Sequence, residues 1–94
     1  MNEVKLVLLV EPDQADARLS KQMIEVAQKP QKIEVKGTMH EALAYLEGIG
    51  DDVANFPSYI YLRPEPHDQD GSRFLAEMAR IAPAASRSCQ VFID

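Results

Sequence analysis

Glu65, His67, Asp68 and Asp70 stand close together between Pro64 and Gly71. Carboxylates and an imidazole in one short stretch are the side chains of a metal site or a phosphotransfer site. Their spacing matches no closed metal motif, so the stretch reads as a solvated loop in which Asp70 caps a following helix. A second acidic group, Glu11, Asp13 and Asp16, follows the apolar run Leu6–Val10. Here Asp13 suits a helix N-cap and Asp16 the first helical turn. Arg63 directly follows another apolar run, Tyr59–Leu62. His40 falls on the polar side of a helical pattern. Cys89 is the only cysteine, so no intrachain disulfide can form, and it reads as a small apolar filler. No Ser/His/Asp or Cys/His set has a recognisable local signature.

The elements that must position these residues follow from periodicity. Val4 to Val10 is a nearly continuous β-branched and leucine run, as in a parallel strand covered on both faces. Asp13 opens a helix whose apolar stripe is expected to be Leu19, Met23, Val26 and Ala27, and Pro30 stops it. Ile33 and Val35 alternate with Lys32, Glu34 and Lys36, a strand with one wetter face that suits a sheet edge. Thr38-Met39-His40-Glu41 has the S/T-x-x-E form of a capping box. Met39, Ala42, Leu43 and Leu46 then make a helical stripe, ended by Gly48 and Gly50. Asp51 to Pro57 is loop, and Tyr59 to Leu62 a third strand. From Gly71 a third helix carries Phe74, Met78, Ile81 and Ala82 on one face until Pro83. Val91-Phe92-Ile93 is a fourth strand. Tyr59 and Tyr61 share a strand face and read as packing residues whose hydroxyls need an outlet.

The order βαβαβαβ predicts an α/β fold with a parallel sheet and right-handed crossovers. In a doubly wound sheet of flavodoxin-like order, 2-1-3-4, the wet strand lies at an edge. Sites then form at the carboxyl ends of the strands: Val10/Glu11, Leu62/Arg63 and Ile93/Asp94.

Three stretches, taken in order, resemble the receiver domain of bacterial two-component signalling, the CheY-like response-regulator family. Leu8-Leu9-Val10-Glu11-Pro12-Asp13, with Ala17-Arg18-Leu19 beyond it, is similar to the receiver start, where two acidic residues hold Mg²⁺. The motif His40-Glu41-Ala42-Leu43-Ala44-Tyr45-Leu46 resembles the family's E-E-A-L-x-x-L helix. Ser58 to Leu75 resembles the third strand, the phosphorylation loop and the D-G that follows, here Asp70-Gly71.

The resemblance implies a degenerate site. The phosphoacceptor aspartate corresponds to Arg63, and a guanidinium cannot form an acyl phosphate. Glu11 matches the first Mg²⁺-holding acid, and Pro12 replaces the second. The Ser/Thr that reports the phosphoryl group corresponds to Asp94. The fifth-strand lysine and the last helix-strand-helix have no counterpart. A cation beside Mg²⁺ costs about 8 kcal/mol at ~4 Å and an effective dielectric of ~20, twice the unit-charge value. No metal, cofactor or catalytic residue is therefore expected. Either Arg63 pairs with Glu11 or Asp94, or it points to solvent.

Composition bounds the rest. Ninety-four residues suit a single domain over 1–94, with net charge −5 and an apolar fraction of 46%. An acidic chain disfavours nucleic acid as a partner. The apolar run near the start is too short to span a bilayer or to serve as a secretory segment, so a cytoplasmic location is expected. An uncovered fourth strand implies a covering partner or a cut fragment of a longer response regulator. The expectation is a phosphorylation-independent interaction module whose partner is a protein or a second copy of itself in a two-fold homodimer. The competing expectation is a receiver with an ectopic acceptor at Asp68 or Asp70.

Overall fold

The computed structural model describes residues 4–63 and 71–93. The expectations placed on Glu65, His67, Asp68, Asp70 and Asp94 lie outside those residues. In chain order the described elements are strand β1 (Leu6–Val10), helix α1 (Gln14–Gln28), strand β2 (Lys32–Lys36), helix α2 (Met39–Ile49), strand β3 (Tyr59–Leu62), helix α3 (Gly71–Ile81), a 3₁₀ turn (Ala85–Ser88) and strand β4 (Gln90–Ile93). The sheet is parallel throughout, in the order β2-β1-β3-β4 expected of a flavodoxin-like sheet.

Local chemistry sets most of the element ends. The Asp13 carboxylate accepts from the backbone N–H of Ala15 at 2.8 Å and of Asp16 at 3.0 Å, filling donors that the start of α1 leaves open. Thr38 does the same for the N–H of Glu41 at 3.0 Å. Glu41 reaches back to the N–H of Gly37, one residue before the position that a standard capping box uses. Gly50 closes α2 with φ 73°, a left-handed value that favours glycine, while Gly48 stays inside the helix. At Gly71 the reason for glycine is space. A Cβ there would stand 2.7 Å from the Ile93 side chain, so the start of α3 comes close to β4.

The two sheet faces are covered unequally. On one, Leu8, Val10, Ile60 and Leu62 pack under α2 and α3 together with Leu46, Phe74 and Met78. Cys89 and Val91 join the margin of this core. On the other, Val7 and Leu9 meet Ala17 and Ile24 of α1, with Ile33, Tyr59 and Tyr61 at the margin. The loop after α2 is tied to the 3₁₀ turn by Asp51, whose carboxylate accepts from the N–H of Ala85 at 2.7 Å and of Ala84 at 3.0 Å.

One expectation for α1 is corrected. Leu19, Met23 and Val26 do not face the sheet: they are 61%, 71% and 77% exposed, and Ala27 is exposed as well. The buried residues of α1 are Ala17 and Ile24. The Asp13 cap and the short turn from β1 fix the rotation of the helix. That rotation lays the smaller pair onto Val7 and Leu9 and turns the bulkier stripe outward. Ile24→Ala should therefore lower unfolding free energy by ~2–4 kcal/mol. Met23→Gln should change it by no more than ~0.5 kcal/mol. Urea unfolding of the two variants checks the assignment, and the reverse order of effects would refute it.

Candidate functional site

The carboxyl ends of β1 and β3 lie side by side, with Val10 level with Leu62. After β1 the chain goes to α1 on one face, and the helix that follows β3, α3, packs on the other. A sheet opens a crevice where its connections diverge in this way. Glu11 is the first residue beyond β1 and Arg63 the first beyond β3. Their backbones remain in the ladder pattern, since the N–H of Glu11 donates to Lys36 O and that of Arg63 to Val10 O, both at 3.0 Å.

The two side chains meet in this crevice. Arg63 Nε lies 3.2 Å from Glu11 Oε2, and Arg63 Nη1 lies 3.2 Å from Asp16 Oδ2. Glu11 is buried, with its side chain 4% exposed, while those of Arg63 and Asp16 are about half exposed. The second oxygen of Glu11, Oε1, accepts from the N–H of Asp13 at 3.2 Å. Both oxygens of the buried carboxylate are thus engaged, which removes the large cost of an unpaired buried charge. Because Asp16 sits in the first turn of α1, the guanidinium joins three elements, β1, β3 and α1. Chemically this is an electrostatic clamp. Among the described residues it presents no carboxylate at the tip of β3, and its buried acid is held by a cation and a backbone amide.

Of the two acids expected as partners for Arg63, Glu11 makes the pair, and Asp94 is outside the described residues. Asp16 was missed as a partner. Forty-seven residues separate it from Arg63, and its only local role is to favour a helix start. Pro12 is exposed in the turn between β1 and α1 and offers no ligand. Among the described residues no group of three or more His, Cys, Asp or Glu side chains is arranged to hold a metal ion. Likewise, among the described residues no helix is long and apolar enough to cross a membrane.

The remaining candidates separate cleanly. His40 is exposed in the first turn of α2. Cys89 is partly buried, and that burial pushes its thiol up to about 12, so the nucleophilic thiolate is scarce near neutral pH. Tyr61 finds its outlet in Gln28, whose Nε2 donates to the phenol oxygen at 3.3 Å. Its ring stacks on Phe92 with centroids 5.0 Å apart, and Tyr59 flanks the same ring at 6.0 Å. Beside the clamp, between α1 and the β3–β4 half of the sheet, lies an open groove of about 330 Å³. Met23, Ile24, Tyr61 and Phe92 supply much of its apolar wall, with Glu11 and Arg63 at one end.

A scan against protein-family models, a search of curated proteins and a search of solved structures each found no match to this chain.

Replacing Arg63 by Met keeps the aliphatic stem and leaves Glu11 buried without its cation. Urea unfolding should register a loss of ~1–3 kcal/mol. Asp16→Asn should cost no more than ~1 kcal/mol, since that contact is solvent-screened. Equal effects at the two positions would contradict the burial argument. Iodoacetamide should alkylate Cys89 at pH 8 far more slowly in the native protein than in urea, followed by mass spectrometry; equal rates would mean that the thiol is not held neutral by burial.

Proposed function

We propose that this chain is a phosphorylation-independent, receiver-like protein–protein interaction module of two-component signalling. The observation that carries the proposal is the guanidinium of Arg63 held by Glu11 and Asp16 at the tips of β1 and β3. In a receiver that position needs an acceptor carboxylate, and the crevice needs Mg²⁺ on oxygen ligands. Arg63 supplies neither a nucleophile nor a ligand. It contributes a fixed positive charge that satisfies the buried acid without metal or phosphate. The sheet order and the location of the crevice support the receiver-like reading, as do the helix motif His40–Leu46 and the Asp-Gly at 70–71.

On this reading the message is carried by shape. A switch of this kind requires two states separated by a ligand's differential affinity. With the clamp closed by the chain's own residues, neither phosphate nor Mg²⁺ has a preferred state to select. What remains is a stable surface presented to a protein partner. Among the described residues the apolar side of the sheet beside α1 is only partly covered, and this supports a role in binding, because exposed contiguous apolar surface marks interaction sites.

The chain should gain no phosphoryl adduct from acetyl phosphate with Mg²⁺, read by intact mass. Beryllofluoride with Mg²⁺ should leave the amide resonances of Val10–Glu11 and Leu62–Arg63 unmoved. Arg63→Asp should restore Mg²⁺-dependent shifts at those amides in the millimolar range. A stoichiometric adduct on the unmodified chain would end this reading, and its loss in Asp68→Ala or Asp70→Ala would assign an ectopic acceptor instead.

A further inference from the structure

We propose that the outer edge of β2 docks an extended acidic segment of a protein partner, which adds to the sheet as a further strand. The inference deepens the proposed function by giving the partner's chemistry, and it rests on that reading only for the role of the docking.

The chain is acidic, but its charge is unevenly placed. Residues 17–36 hold five of the ten Lys and Arg residues and only two of the fifteen Asp and Glu residues. They form most of α1 and all of β2. Lys21, Glu25 and Lys29 follow at four-residue spacing, so they share one flank of the helix. With Lys32 at the start of β2 they line an open hollow of about 440 Å³, three ammonium groups against one carboxylate. On β2 itself Lys32 and Lys36 share a single acid, Glu34, at 3.4 and 3.3 Å. The strand is left with one positive charge in excess.

The backbone of β2 is open on the same side of the molecule. Among the described residues β2 pairs with β1 alone. The N–H of Lys32 donates to Lys5 O, and Lys36 O accepts from the N–H of Glu11, both at 3.0 Å. Along a parallel strand, residues that bond to one neighbour alternate with residues that face the other way. Lys32, Glu34 and Lys36 therefore bond to β1, while Ile33 and Val35 turn their N–H and C=O groups to the outer edge. The side chains alternate as well. Lys36 lies over the Tyr45 ring of α2, whereas Ile33 packs on the α1 side of the sheet. Val35, on the same side as Ile33, is 37% exposed.

Lysines on an edge strand ordinarily deter pairing. They deter by charge, so the deterrent is selective. A second copy pairing along the whole of β2 about a two-fold axis would set Lys32 against Lys36 and Glu34 against Glu34, like charge on like. Shifting that register by two leaves only three residues paired. An acidic strand meets the opposite situation. The positions opposite Lys32 and Lys36, ~13 Å apart, take carboxylates. The position opposite Glu34 takes an uncharged residue, and those opposite Ile33 and Val35 take apolar ones. The segment thus reads acidic, apolar, neutral, apolar, acidic, and further acids at its end enter the hollow beyond Lys32. In strand addition of this kind the main chain supplies affinity and the alternating side chains supply selection.

The probe is the peptide acetyl-Glu-Glu-Val-Thr-Val-Glu-Glu-amide, titrated at low salt into the ¹⁵N-labelled 94-residue chain. The amides of Ile33 and Val35 should shift and exchange more slowly with water, and a peptide with lysines in place of the glutamates should leave them unmoved. Raising the salt to ~0.5 M should weaken the binding at least ~fivefold. Lys32→Glu should do the same at low salt while circular dichroism stays native. No shift at Ile33 and Val35 at millimolar peptide would overturn the proposal. So would equal shifts with the lysine peptide, shifts confined to α2 and α3, or a Lys32→Glu chain that binds as tightly as the original. A chain that neither docks the peptide nor takes a phosphoryl group would sink this edge alone, whereas a phosphorylated chain that still docks it would sink the functional reading alone.

Discussion

The fold turns on one buried carboxylate. Glu11 is the only charged residue buried among the described ones, and it sits where β1 ends and the connections of the sheet diverge. An isolated charge in that position is unfavourable by several kcal/mol, so the surroundings must supply donors. They do so from two directions, the N–H of Asp13 and the guanidinium of Arg63. The first holds the turn that starts α1, and the second holds the tip of β3. One acid thereby couples the entry of a helix to the register of two strands, and Asp16 closes the arrangement from the first turn of α1. The proposed absence of phosphate chemistry is the consequence. A site already neutralised from within has little to gain from a metal or a transferred phosphoryl group.

The second constraint is the imbalance between the faces of the sheet. Ile60 and Leu62 on β3 are fully buried under two helices, whereas Tyr59 and Tyr61 on the same strand are only partly covered. The aromatic residues of the open face stack on one another, which recovers some contact but leaves Phe92 wet. The outward stripe of α1 is the same problem seen on the helix. A fold with both features on one side has its exposed apolar surface at one location.

Much of this architecture was legible in the residues. The run Val4–Val10 announced a doubly covered strand, and Thr38 and Asp13 announced the starts of their helices with the acceptors that the structure uses. Alternation at Lys32–Lys36 marked an edge strand. The phase of α1 was not legible, because the helix carries two apolar sets, Ala17 with Ile24 and Leu19 with Met23 and Val26. Counting large side chains favours the second, while the turn from β1 and the Asp13 cap select the first. Long-range polar contacts escaped for a different reason. Asp16 and Asp51 find partners far along the chain, and nothing local to either residue distinguishes it from an ordinary solvated acid. The pairing of Arg63 with Glu11 could be anticipated because both residues end adjacent parallel strands.

The clamp is most directly tested by the Nε–H resonance of Arg63 in ¹H–¹⁵N spectra. Held against a buried carboxylate, it should be resolved from the other arginines, exchange slowly with water, and lose that protection in Glu11→Gln. Addition of Mg²⁺ should leave it in place. An Arg63 Nε–H that exchanges as fast as those of arginines in open solvent, or that Mg²⁺ displaces, would contradict the account.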